Sequence, residues 1–389
     1  MSMDEKLMQR VKEGWKECCI LNDSIADEPE ISGEEEKTCK KIVSLLERHG
    51  LKVEMPVAGQ PWSFRTQIHS CADPVLRVAI VTEYDALPEM GHACGHCVSG
   101  SISVLAALAL MECTYPICVD LIGTPDEELR GAKTYMVQNG VFDQYDFAIM
   151  IHLDNKNRSA VKTLCIMDLK VDFFGKSSHA ASAPWEGRNA LNGVQLFFHA
   201  VDMLCQHVTP DIMMHGIIQE GGTAANIVPE KASAYMYIRG DKLTGTKRAL
   251  EMVQDCARGA AIATQTEVQM ESLYPPYQET VPSRVLSDVV AKNMEDLHLD
   301  IGDNNAISMG STDFGNISSV IPVVCPTLKI SEADIHTAQF AMDVKGDLAH
   351  EAICNGAYII AKTILDMAQS KDLIAEMKKE FKMYYGKCV

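Results

Sequence analysis

No stretch of this 389-residue chain approaches the roughly 18 apolar residues that a membrane-spanning helix requires, and the opening MSMDEKLMQR lacks the apolar core of a secretory signal. A cytoplasmic location is expected, with no membrane partner. Positive charge is also scarce: 35 Lys plus Arg stand against 53 Asp plus Glu, a formal net charge of −18. That field repels phosphate backbones and anionic lipid, which argues against a nucleic-acid partner. Repeats and low-complexity segments are missing, and 47% hydrophobic with 23% charged residues is the composition of an ordinary folded globular protein. The length suits two or three domains, or one large domain carrying an insertion.

Cysteine is what the chain has in abundance, fourteen in all. In a reducing compartment most cysteines are small buried hydrophobes, with an occasional metal ligand or redox centre. The question is which of them do chemistry.

The apolar pattern predicts alternating helices and strands. Ser32 with Glu35 reads as a capping box, Cys39, Ile42, Val43 and Leu46 follow helical spacing, and Gly50 closes the helix. A strand is expected over Leu51 to Met55. Val75 to Thr82, Val119 to Ile122 and Phe147 to Ile151 are short, rich in Val, Ile or Leu, and end at polar clusters, as buried parallel strands do. Between the first two, Val98 to Met111 places Ile102, Leu105, Ala106 and Ala109 at helical spacing, completing a βαβ unit. The fold class is therefore α/β, a mostly parallel central sheet flanked by helices. In such sheets ligands bind beyond the carboxyl ends of the strands, where EYDALP, TPDEE and HLDN fall. From about Asp168 the texture changes: Leu169 to Phe174 and Ala232 to Ile238 are strand-like, and Asn189 to Cys205 is helical. After Tyr274-Pro275-Pro276 the first texture resumes. The expected organisation is 1–167, then a smaller inserted α+β domain over 168–278, then 279–389.

The segment from Glu83 to Ser99 packs Asp85, His92, Cys94, His96 and Cys97 closely together. Cys94 and His96, two apart and just ahead of a helix, can offer a thiolate and an imidazole to one metal ion. Glu127 and Glu128 in TPDEE have two readings. One is an acidic first turn that suits the helix dipole; the other gives one carboxylate to a metal and leaves its neighbour as general base. Taken singly, His152 and His336 are satisfied core or surface histidines. Taken with Cys94, His96 and Glu128, they complete a set of five ligands for two ions.

The ordered motifs GHACGHCVSG, TPDEELRGA, HLDN, GKSSHAASAPWEGRNALNG, GGTAANIVPEKA and GSTDFGNISSVIPVVCP resemble those of the dinuclear-metal aminoacylase and carboxypeptidase family. More narrowly, they resemble its amidohydrolase branch (peptidase family M-twenty, D branch), which includes aminobenzoyl-glutamate hydrolases and auxin-conjugate hydrolases. The resemblance spans about residues 30 to 380. It implies a catalytic domain interrupted by a lid that also forms a homodimer. It further implies two divalent cations, zinc or manganese, held by Cys94, His96, Glu128, His152 and His336. Glu127 matches the general base, and Asp85 the acid that orients a ligand. His179 and Asn226 match residues that reach the substrate, often in the partner subunit's site. Arg239 matches an anchor for a substrate carboxylate, with a surface ion pair as the other reading, and Ser311 lies in the stretch expected to line the pocket.

The implied reaction is hydrolysis of the amide bond of a small N-acyl or aryl-acyl amino acid, or of a dipeptide. Two alternatives stay open. The same site could cleave another C–N bond, as a deaminase does. Cys94-Gly95-His96-Cys97 also spells the CGHC of thiol-disulfide oxidoreductases, in a place where the branch commonly has Asp or Asn instead of Cys97.

Overall fold

The computed structural model describes residues 2–303 and 307–385. Its twelve strands are β1 (Val53–Glu54), β2 (Phe64–His69), β3 (Leu76–Thr82), β4 (Ile117–Gly123), β5 (Phe147–Ile149), β6 (His152–Asp154), β7 (Cys165–Phe174), β8 (Met213–Glu220), β9 (Lys231–Gly240), β10 (Glu267–Glu271), β11 (Val323–Val324) and β12 (Thr327–Lys329). The chain divides into two compact units: Met1–Lys162 with Thr280–Ser308 and Thr312–Val389, and Thr163–Glu279 with Met309–Ser311.

The first unit is built on a six-stranded sheet of order β1-β2-β4-β3-β5-β11. Strands β4, β3, β5 and β11 run parallel, and β1 and β2 add an antiparallel edge. The central parallel strands are apolar along most of their length because both faces are covered. One face packs against helices Met3–Asp27, His96–Leu110 and Asp347–Gln369; a smaller cluster with Met136, Phe142, Phe314 and Ile317 covers other sheet residues, among them Ala79, Val81 and Ile122. The helix His96–Leu110 is buried almost all round, so serine at 99, 101 and 103 meets no penalty only where it finds a partner. Ser99 Oγ donates to the Ile151 carbonyl at 2.6 Å and Ser103 Oγ to that of Val81 at 2.8 Å.

The strand read as Phe147 to Ile151 breaks after Ile149. Pairing resumes after two intervening residues as the parallel pair β6 and β12, and this break sets His152 at the start of a new strand. The capping box at Ser32 and Glu35 does not form. Helix Glu36–Arg48 has no cap from the Glu35 side chain; the Glu30 carboxylate instead accepts from the amides of Lys37 and Thr38. Ser32 Oγ donates to Asp85 Oδ2 at 2.7 Å, a charge-assisted bond to a buried carboxylate. Gly50 closes that helix as read: with φ +81°, its amide meets the Glu47 carbonyl and the Leu51 amide meets that of Leu46.

The second unit is a four-stranded antiparallel sheet of order β10-β7-β9-β8. Helices Ala190–Leu204 and Leu243–Thr264 supply Val194, Phe197 and Val253 to a core with Leu169, Val171 and Phe173. Asn189 caps the first of them through a bond from the Leu191 amide.

Candidate metal centre

The carboxyl ends of β3, β4 and β5 supply the chemistry. After β3 come Glu83 and Asp85; after β4 come Asp126, Glu127 and Glu128; after β5 comes His152. Cys94 and His96 enter from the tight turn that opens the helix His96–Leu110. Gly95 makes that turn possible, with φ +80° and no room for a Cβ, which would stand 2.9 Å from Leu153. His336, far along the chain, is brought in by a bond from its amide to the Ala93 carbonyl, 2.9 Å, and itself has φ +63°.

These residues form overlapping sets of potential donors. In each of Cys94, Glu128, His336; Glu83, His96, His152; His96, Glu127, Glu128; and Glu83, Glu127, Asp313, the donor atoms lie within 4.8 Å of one another. The Cys94 thiol meets Glu128 Oε1 at 2.6 Å. The His96 and His152 rings meet edge to face, 5.4 Å between centroids.

Two observations make the set fit divalent cations. First, the histidine tautomers are fixed with one nitrogen left over. His96 Nδ1 pairs with Asp85 Oδ1 at 2.9 Å, while its buried Nε2 makes no hydrogen bond; His152 Nδ1 meets the Leu153 carbonyl at 2.8 Å. A carboxylate or carbonyl behind the imidazole is the usual support of a metal-binding histidine. Second, five carboxylates gather here: Glu83 and Asp313 pair with the Lys133 ammonium, while Asp85, Glu127 and Glu128 lie about His96. With all five carboxylates ionised and both imidazoles neutral, the state that ligation calls for, five carboxylates and one ammonium leave an excess of four negative charges, the charge of two divalent cations, before Cys94 is counted.

The proton affinities reflect the same imbalance. Burial, then repulsion from Glu128 and Glu83, holds the Glu127 carboxyl well above the usual carboxylate range. Burial would also raise Asp85, but the His96 ring and hydrogen bonds from His96, the Glu128 amide and Ser32 outweigh it and hold it low. Burial followed by the Glu128 charge pushes the Cys94 thiol up. Cys97 is raised by burial alone in the main, and packs at 0% exposure in the apolar core. A disulfide oxidoreductase needs a lowered thiol pKa at this position, and both cysteines are shifted the other way.

The remaining sequence-predicted residues belong to the second unit, where they form two pairs. His179 and Asn226 are both exposed and are joined through adjacent backbone, the Ala180 amide donating to the Asn226 carbonyl at 3.0 Å. Arg239 donates to Ser311 Oγ at 3.1 Å and to the Met309 carbonyl at 3.4 Å, and its guanidinium lies 5.9 Å from the Tyr237 ring centre. Among the described residues it forms no ion pair, so the surface-ion-pair reading of Arg239 is set aside.

Sequence reasoning passed over Glu83, Lys133 and Asp313. Lys133 Nζ lies 2.6 Å from both Glu83 Oε1 and Asp313 Oδ1, and all three are buried. Two of them sit inside motifs already singled out, EYDALP and GSTDFGNIS. A lysine in GAKTYM carries no sign that it is enclosed.

Comparison with known proteins gives a consistent picture. The model of "Peptidase family M20/M25/M40" matches residues 79–366. The Xaa-Arg dipeptidase of Mus musculus is 32% identical over 98% of this chain and 92% of its own length. One of the polypeptides of the Escherichia coli p-aminobenzoyl-glutamate hydrolase is 30% identical over 64% of this chain and 56% of its own length. Among solved structures, a dinuclear metal binding peptidase of the M20 family from Bacillus subtilis superposes with a TM-score of 0.70 at 16% identity, over 92% of this chain and 99% of that one. No helix among the described residues is long and apolar enough to cross a membrane.

Proposed function

The chain belongs to peptidase family M20/M25/M40 and is a metal-dependent hydrolase of amide bonds, and we propose that its substrate is a dipeptide with a basic residue at its carboxyl end. The observation that carries this reading is the likeness to the Xaa-Arg dipeptidase over 98% of the chain, where the match to the aminobenzoyl-glutamate hydrolase covers 64%. The net charge of −18 also favours encounter with a cationic substrate.

We assign Cys94, Glu128 and His336 to one divalent cation and His96 and His152 to a second, zinc or manganese. When bound, such ions polarise the scissile carbonyl and lower the pKa of a water molecule. Glu127 takes the proton of the attacking water and delivers it to the leaving nitrogen, a task suited to a carboxylate whose proton affinity is raised. Asp85 fixes the His96 ring and, through the Glu128 amide at 3.0 Å, the loop bearing both glutamates. We assign His179 to the developing oxyanion, Asn226 to the substrate, and Arg239 with Ser311 to its carboxylate, in a homodimer formed through the second unit. A reducing, cytoplasmic setting would keep Cys94 free to ligate.

The test is a substrate panel with purified protein, chelated and then reloaded with zinc or manganese. Activity should vanish on chelation and return with metal. Xaa-Arg and Xaa-Lys should exceed Xaa-Glu, N-acyl amino acids and p-aminobenzoyl-glutamate by at least about tenfold in kcat/KM, a discrimination of about 1.4 kcal/mol. A preference for p-aminobenzoyl-glutamate would overturn the substrate assignment. Release of ammonia in place of an acid and an intact amine would point to deamination.

A further inference from the structure

Glu83 stands at the end of β3 with 0% exposure, and its two oxygens have different surroundings. Oε1 lies 2.6 Å from Lys133 Nζ. Oε2 lies 3.6 Å from His96 Nε2, the buried nitrogen that makes no hydrogen bond. One oxygen is thus held by an ammonium, and the other faces the imidazole nitrogen that has no hydrogen-bond partner.

The spacing is informative. A tetrahedral ion with ligand bonds of about 2.0–2.2 Å separates its donor atoms by roughly 3.3–3.6 Å, and the Glu83 to His96 distance falls at that value. His152 completes the group, all three donor atoms lying within 4.8 Å of one another. Without Glu83, the ion assigned to His96 and His152 has two neutral donors of its own and no anionic one.

The carboxylate is also anchored as a preformed ligand must be. Lys133 is fixed in turn by Asp313, through Nζ to Oδ1 at 2.6 Å and through its backbone amide to Oδ2 at 3.0 Å. Behind Glu83, the helix His96–Leu110 comes so close that a Cβ on Gly100 would lie 2.8 Å from the Glu83 carbonyl oxygen. The strand end carrying Glu83 and the helix start carrying His96 are therefore locked together.

Resting on the two-ion reading above, we propose that Glu83 is a further metal ligand, binding through Oε2 the ion held by His96 and His152, while Lys133 and Asp313 set the position of its carboxylate. The competing role is that of a counter-ion for Lys133 alone. The two roles predict different responses to two substitutions. Glu83→Gln keeps the shape and an oxygen for Lys133 but removes the anionic donor. Lys133→Met leaves the Glu83 carboxylate and removes a nearby positive charge.

The experiment measures metal content by mass spectrometry and ion affinity by chelator competition, with visible absorption of the cobalt-loaded proteins. Wild type should hold two ions per chain. Loss of a supporting residue behind a ligand costs about 10–100-fold in affinity, so loss of a ligand in Glu83→Gln should weaken one of the two ions by at least about 100-fold and change the cobalt spectrum. Lys133→Met loses a support of that ligand but also a repelling positive charge, so it should lose less affinity than Glu83→Gln and keep the wild-type cobalt spectrum. Should Gln prevent folding, Glu83→Asp, charged but shorter, should still weaken one ion and spare the other. Two ions held by Glu83→Gln with wild-type affinity and spectrum would overturn the Glu83 assignment alone, as would equal weakening in Glu83→Gln and Lys133→Met. Fewer than two ions in folded wild type would overturn the two-ion reading, and the Glu83 assignment with it.

Discussion

Replacing Lys133 by Met in the metal-free protein is the sharpest test of how the acidic site is held together. The ammonium is 0% exposed and lies 2.6 Å from a carboxylate oxygen on each side. At an effective dielectric of about 20, a pair at that distance has a Coulomb attraction of about 6 kcal/mol, much of it offset by the desolvation of three charged groups. Methionine matches the stem of lysine in length, so packing changes little. What remains is Glu83 and Asp313 buried without their ammonium, Asp313 keeping the amide of residue 133, and removing one partner of a buried ion pair costs about 3–5 kcal/mol. Urea denaturation at pH 8 in chelator should show a loss of that size in the transition of the first unit. The sign of the pH dependence follows from Asp313, whose carboxyl is already raised by burial against the opposing pull of Lys133. Without the lysine the native state binds a proton more readily than the unfolded state does, so the penalty should shrink as pH falls toward 5. Adding Asp313→Asn should restore part of the loss, and loading divalent metal should restore more. A Lys133→Met protein within about 0.5 kcal/mol of wild type at pH 8 would refute the reasoning, because it would mean the two carboxylates need no counter-charge.

Glu127→Gln should keep both ions and lower kcat by roughly 10²- to 10⁴-fold, the contribution of a general base; near wild-type turnover with metals loaded would sink the assignment. Burial, and then repulsion from Asp85, raises the Glu35 carboxyl from 4.5 to about 8, so its stabilising contribution is present at low pH and is lost as pH rises through 8. Glu35→Gln keeps an acceptor for the Asp126 amide and should gain stability relative to wild type between pH 5 and 9, by as much as about 5 kcal/mol at 1.36 kcal/mol per pK unit. Parallel stability curves for the two metal-stripped proteins would contradict this. Mixing inactive His179→Ala with inactive Glu127→Gln should restore some turnover if the histidine serves the partner subunit; none, with subunit exchange verified, would place it in its own subunit's reaction.

Much of the candidate site could be read from the chain because its potential donors cluster in short motifs. Cys94 and His96 are two apart, Glu127 and Glu128 adjacent, and Asp85 precedes the first pair in the same loop. His152 and His336 were legible only in company, since one lies at a strand start and the other in a loop with no regular pattern. The lysine escaped because nothing in GAKTYM distinguishes an enclosed ammonium from a solvated one. Ser32 misled for a related reason: a serine ahead of Glu35 fits a helix cap, and only the nearness of Asp85, 53 residues on, shows which acceptor it takes.

The sequence by itself determined the parallel sheet, the placement of polar clusters at its carboxyl ends and the donor types, because periodicity and local spacing are properties of neighbouring residues. Tertiary structure alone decided which candidate donors come within reach of one another, which nitrogen of His96 is left over, and that Glu83, Lys133 and Asp313 meet. Those facts depend on distances between segments far apart in the chain and on burial, which turns an ordinary lysine and two ordinary acids into a charge cluster that must balance.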